Sequence, residues 1–194
     1  MRILAALAAA LLAGCVSVSE GVGSMSEVGS DSVLIVGKVE LLPKLRPDEQ
    51  HVNPPNDILN SKRYFLGRAV MFMSDEARYR ERTGNALNPA LEETFFLKVP
   101  RTQKFMVKGT VTMEMRMRSG HLDQTDLVFP APLRLDIRPG DTAIYVGTLR
   151  LHRDEFHEVT KAEIRDDYAS AIVDYRRKFG AAAAPRKALF APAK

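Results

Sequence analysis

The side chains able to do chemistry fall into two clusters. Met113, Met115 and Met117 alternate along MEMRMR, and thioethers are soft donors suited to Cu(I). Residues two apart on a strand share a face about 7 Å apart, a gap that flexible methionines could close. A copper reading would use Met115 and Met117, with His121 beyond the run as helper. The same residues also continue a longer stripe. Phe105, Val107, Gly109, Val111, Met113, Met115 and Met117 fall on one face of a strand, and Lys104, Lys108, Thr110, Thr112, Glu114, Arg116 and Arg118 on the other, interrupted only by Met106. Core packing explains that stripe without a metal, so no metal or other cofactor is assigned. A run from Phe105 to Arg118 would span about 46 Å at about 3.3 Å per residue. A bend or bulge is therefore expected near Gly109.

The second cluster is HRDEFHE, residues 152–158, in which His152, Asp154, Glu155, His157 and Glu158 are all possible zinc ligands. Their spacing argues against it. Five residues apart on a strand, His152 and His157 point to opposite faces; on a helix they stand about 140° apart. A polar hairpin turn at Arg153–Glu155 fits better. Acid–base or nucleophilic catalysis needs convergent groups. The histidines, His51, His121, His152 and His157, lie in no recognisable nucleophile motif, and the chain lacks a G-x-S-x-G elbow, a Gly-rich phosphate loop and an S-x-x-K pair. His121 and Asp123 could face the same way, which keeps an envelope hydrolase as the least favoured reading.

The elements that must position these residues read mainly as strands. Ser32–Leu42 is β-branched and almost continuously apolar at first, as a central strand would be, and Lys62–Ser74 repeats that quality. Thr94–Val99, the long run from Phe105, Leu133–Ile137, Thr142–Arg150 and Phe156–Ile164 follow, with an Arg138-Pro139-Gly140-Asp141 turn between two of them. About seven or eight strands with little helix predict a mainly β fold, an antiparallel β-sandwich or partly open barrel. Two long loops, 46–61 and 75–93, break the pattern, the second with room for a short helix at Asp75–Arg82 closed by Gly84. The clearest helix is DDYASAIVDYRRKFG, residues 166–180. Acidic residues open it, basic residues and Gly180 close it, and Tyr168, Ala171, Ile172, Tyr175 and Phe179 share one face. That short C-terminal helix is expected to close an open end of the sandwich.

The chain opens with Met1-Arg2 and then ten residues of Ile, Leu and Ala, Ile3–Leu12, the charge and apolar run of an export signal. The run is too short to span a bilayer, which takes about 20 apolar residues. Leu12-Ala13-Gly14-Cys15 resembles the lipobox of bacterial lipoproteins, in which the cysteine is acylated and the signal cut just before it. Cys15 is the only cysteine, so a thiol spent on lipid leaves no disulfide and no cysteine nucleophile. Several acyl chains hold a soluble domain on a membrane almost permanently. Because Val16 and not Asp follows Cys15, the resemblance implies the outer membrane of a Gram-negative host, with the domain facing the periplasm. Residues 145–180 are also similar in style to the C-terminal part of uncharacterised β-sandwich lipoproteins, a likeness that carries no catalytic residues.

The expected organisation is a signal peptide at 1–14, lipidated Cys15 and a Ser/Gly-rich flexible tether at 15–31, a β-rich domain with its terminal helix at 32–180, and a disordered tail at 181–194. Leu189 and Phe190 are expected to form a short contact motif in that tail. The formal charge of +4 and pI near 9.3 reflect interleaved signs and no basic patch; for an exported chain nucleic acid is not a partner. The expectation is a lipid-anchored binding or scaffolding module with an envelope protein partner, acting without catalysis, and metal handling as the alternative. Cys15→Ala should move the protein from the membrane to the soluble fraction on cell fractionation; a variant that stays membrane-bound contradicts the anchor.

Overall fold

The computed structural model describes residues 18–19, 21–49, 67–81, 84–116, 122–129 and 132–193. Their strands are β1 (Val18–Ser19), β2 (Ser32–Leu42), β3 (Ala69–Ser74), β4 (Asn85–Leu87), β5 (Thr94–Pro100), β6 (Phe105–Arg116), β7 (Leu122–Val128), β8 (Leu133–Arg134), β9 (Ala143–Arg153), β10 (Val159–Arg165), β11 (Arg186–Lys187) and β12 (Ala191–Pro192), with one helix, α1 (Tyr168–Phe179). They form two sheets. One runs β1-β4-β3-β6-β8-β12 with β7 also on β6; the other runs β10-β9-β2-β5 with β11 also on β9. The result is a mainly β sandwich with a short C-terminal helix, as the sequence predicts, and not a barrel. Its pairing is mixed, however: β2 runs parallel to β9 at the centre of the smaller sheet, and β1–β4 and β11–β9 are also parallel.

The pattern of β2 shows why it is central. Val33, Ile35, Val39 and Leu41 face the other sheet and join Met71, Met73, Val111, Met113 and Leu127 in the main core. Leu34 and Val36 point the opposite way and are equally buried, because a second apolar layer covers that face. At Lys38 and Glu40 the cover ends, and the strand begins to alternate apolar with charged.

Two bulges set the phase of the core. In β6 the register against β3 slips by one residue at Val107, between Lys108 and Met106. Met106 therefore faces the core before the slip, and Val111 and Met113 face it after. The methionine that interrupts the sequence stripe marks the expected bulge. In β9 the register against β2 slips at Val146, where Gly147 takes φ 96. Ile144 and Val146 point into the core before that slip, Leu149 and Leu151 after it.

Four expectations are corrected. First, α1 does not close an end of the sandwich. Its Ala171 and Tyr175 lie on the outer face of the smaller sheet against Leu34, Val36, Phe96 and Tyr145, with the Phe179 ring edge-on to Phe96 at 5.3 Å. An amphipathic stripe needs an apolar surface, and the doubly buried half of β2 supplies one. Second, residues 21–31 are no tether. Val22 and Val28 are buried in this same layer, and the Val22 N–H donates to the Phe96 carbonyl at 3.0 Å. Third, residues 181–193 are no disordered tail: β11 pairs with β9 and β12 with β8, crossing from one sheet to the other. Ala188 and Phe190 alternate into the main core, while Leu189 packs on the outer layer. The Arg186 guanidinium holds Asp141 at 2.7 Å, and the Tyr175 hydroxyl donates to the Ala183 carbonyl at 2.9 Å. Fourth, the helix expected at Asp75–Arg82 is a single 3-10 turn at Tyr79–Glu81, whose Tyr79 ring stacks on Phe105 at 4.4 Å.

Because Phe190 fills the inter-sheet core, Phe190→Ala should cost about 3–5 kcal/mol in a denaturant titration. A midpoint equal to that of the parent chain would mean that the C-terminal segment contributes nothing.

Candidate functional site

Beyond the point where the second apolar layer stops, α1 and the outer face of the smaller sheet leave a cleft of about 770 Å³. Its floor is built by alternation. Lys38 and Glu40 of β2 follow Val36 outward, and after the slip at Gly147 the outward positions of β9 become Thr148 and Arg150. Thr94 and Phe96 of β5 complete the floor, and Asp167, Ser170, Asp174, Arg177 and Lys178 of the helical segment form the wall.

Five charged side chains of the cleft, Lys38, Glu40, Arg150, Asp174 and Arg177, pair with one another. Arg150 donates through Nε and Nη2 to Glu40 Oε2, at 2.9 and 2.6 Å, and Lys38 Nζ lies 2.9 Å from the other carboxylate oxygen. Burial pushes the Glu40 carboxyl up, but the hydrogen bonds from Lys38 and Arg150 outweigh it and hold the group below the usual range. The Thr94 hydroxyl donates to Asp174 at 2.6 Å, linking floor to wall, and Arg177 holds the other Asp174 oxygen at 3.0 Å. The Tyr145 hydroxyl accepts from the Asp167 N–H at 2.8 Å and so fixes the start of α1. At the lip, Glu92 has φ 65. Its N–H donates to the Val39 carbonyl and its carboxylate accepts from the Leu41 N–H, which caps the β2 edge just before β5 begins. Backbone strain of this kind persists only where surroundings over-determine it. Neither His152 nor His157 is among the lining residues.

The ligand candidates of HRDEFHE are separated, as their spacing implies. His152 points outward and lies 3.5 Å from Glu163, whereas His157 sits near the end of the sandwich beside Glu49 and Arg153. No group of three His, Cys, Asp or Glu side chains among the described residues is arranged to hold a metal ion. Met115 lies in β6, paired with Asp123. Met117, His121, Leu12, Ala13, Gly14 and Cys15 lie outside the described residues, as do residues 50–61 of the first long loop and 82–83 of the second.

Arg153 is not the turn residue that the sequence predicts. The slip at Gly147 turns it inward at the end of the core, where its side chain is only 2% exposed and that of Glu49 1%. The two form a paired contact at 2.6 and 3.0 Å. The guanidinium also donates to the carbonyls of Pro43 and Lys44, and Nη1 lies 3.2 Å from His157 Nδ1. Glu49 further accepts the Arg46 N–H at 2.8 Å. Burial raises the Glu49 carboxyl, yet the Arg153 and Arg46 interactions leave it below its ordinary value. This pair ties the start of loop 46–61 to the end of β9. Sequence reasoning missed both the pair and the cleft. The only available signal was the alternation of Lys38, Glu40, Arg150 and His152, which the bulge hides.

No protein-family profile, curated protein or solved structure matches this chain. Its chemistry must be read from its own geometry.

Removing one partner of a buried ion pair leaves the other charge uncompensated. Glu49→Gln should therefore cost about 3–5 kcal/mol at neutral pH. A depressed folded-state pKa contributes stability above the unfolded value, near 4.5, that is lost as pH falls through the lower folded value. Urea titrations across that acidic window should show the parent losing stability more steeply than Glu49→Gln; parallel curves would contradict the assignment.

Proposed function

We propose that this chain is a lipid-anchored cell-envelope protein that binds a polar partner in the cleft between α1 and the smaller sheet, acting as a binding or scaffolding module and not by catalysis. The observation that carries the reading is the internal pairing of the cleft. Glu40 with Arg150 and Lys38, and Asp174 with Thr94 and Arg177, present donors and acceptors of both signs at fixed positions. Groups already ordered in this way lose little freedom when a partner arrives. Paired charges suit recognition; a nucleophile with a base and an oxyanion site would need different company.

The location rests on the lipobox resemblance at Leu12-Ala13-Gly14-Cys15. No helix among the described residues is long and apolar enough to cross a membrane, and acylation of Cys15 would supply the anchor. In a Gram-negative host Val16 after the cysteine favours the outer membrane, with the domain in the periplasm and an envelope protein as partner. Confinement to one surface would raise the effective concentration of that partner.

A photo-crosslinking residue at Ser170, on the cleft wall, should give a discrete adduct in living cells. The adduct should vanish in Cys15→Ala and in the Arg177→Glu/Lys178→Glu double variant, whereas a crosslinker at exposed Val128 on the other sheet should give none. The same adduct from both positions, or its survival in the double variant, would overturn the cleft as the binding site.

A further inference from the structure

The packing of residues 21–31 changes what an anchor at Cys15 does. β1 begins at Val18, three residues after Cys15, and runs parallel to β4 with Val18 opposite Ala86. Three residues reach at most about 11 Å even when fully extended. A flexible tether ending at residue 31 would reach far further and let the domain tumble; this leash is too short for that.

The register fixes which end of the sandwich the leash leaves from. Val18 starts at the end where β3 finishes at Ser74 and β4 begins at Asn85. Ser74 lies opposite Phe105 and Phe105 opposite Arg134, so the β5–β6 turn and the turn before β9 share that end. In the smaller sheet Ser32 lies opposite Pro100, and Leu34 opposite Ala143. The opposite end, with Leu42, Arg153 and exposed Phe156, stands a full strand away, about 36 Å for the 11 residues of β2.

We infer that the end carrying Arg78, Arg80, Thr102, Lys104 and Arg138 rests against the phosphate-bearing headgroup surface of the bilayer, with the Arg153 end held away from it. This inference rests on the lipid-anchor reading and adds an orientation to it. The length of the leash supports it. At about 11 Å it is far shorter than the distance of about 36 Å that separates the two ends, so the near end stays at the surface. The charges of this end are of both signs, with Glu76 and Glu81 beside Arg78 and Arg80 on the turn after β3 and Asp136 paired with Arg138 on the turn before β9, so the orientation rests on the leash and not on charge. The cleft opens on the side of the sandwich and stays accessible in this orientation.

The test uses the full-length lipidated protein in vesicles of phosphatidylethanolamine and phosphatidylglycerol containing a nitroxide-headgroup lipid. Cys15 is the only native cysteine, so when acylated it leaves a single introduced thiol to carry a fluorophore. Thr102→Cys and Phe156→Cys mark the two ends, and Pro139→Cys with Glu155→Cys forms a second pair. Severalfold stronger quenching at 102 and 139 than at 156 and 155 is expected. Flotation with the vesicles but equal or reversed quenching would overturn the orientation alone. Failure of the protein to float would overturn the anchor reading beneath it.

Discussion

One residue of slip in β9 organises the molecule. Up to Val146 the even-numbered side chains face the other sheet; from Leu149 the odd-numbered ones do. Had the strand kept its phase, Thr148, Arg150 and His152 would point between the sheets, burying charge with nothing opposite. The slip instead sends Leu149 and Leu151 inward and Arg150 outward to Glu40. Gly147 makes it possible by taking φ 96 beneath the Ile164 side chain and the Arg165 carbonyl. The same slip delivers Arg153 to the buried end of the core, where Glu49 and two carbonyls must meet it. Cleft and buried ion pair are thus two consequences of one backbone event.

The termini complete what the slip begins. The N-terminal segment leaves β4 of one sheet, bridges at Gly21 to Leu97 of the other and then covers Leu34 and Val36. The C-terminal segment makes the reverse crossing from β9 to β8. The C-terminal segment fills one side of the sandwich with Ala188 and Phe190, the N-terminal one covers the outer face with Val22 and Val28, and both give sheet edges partners, which limits open pairing with other chains. With α1 they form a third layer, and where this layer stops the polar cleft starts.

The legible part of the sequence was whatever follows a plain period. Ser32–Leu42 reads as a strand with the bounds it has, and the α1 stripe of Tyr168, Ala171, Tyr175 and Phe179 reads as a helix face. The doubly apolar start of β2 even contains the reason α1 lies where it does, though the sequence alone does not say which surface pairs with which stripe. Bulges were legible only by their irregularity: Met106 betrayed the one in β6, whereas Gly147, followed by polar residues at 148, 150 and 152, concealed the one in β9. The cleft and the Glu49–Arg153 pair, joined across 104 residues of chain, depend on that hidden slip. Composition misled at both ends, because Gly/Ser-rich 16–32 and Ala-rich 181–194 look unstructured until Val22, Val28, Ala188 and Phe190 find their places.

The most direct test compares the unfolding free energies of Gly147→Ala and Gly140→Ala. Both glycines have positive φ, 96 and 85, so each substitution carries a similar backbone penalty of about 1–2 kcal/mol. A Cβ at 140 meets nothing within 4 Å, whereas at 147 it lies 2.7 Å from Ile164 Cγ2 and 3.1 Å from the Arg165 carbonyl oxygen. If the slip organises the fold, Gly147→Ala should lose at least about 2 kcal/mol more than Gly140→Ala, in the range of overpacked cores. Equal losses would contradict the account.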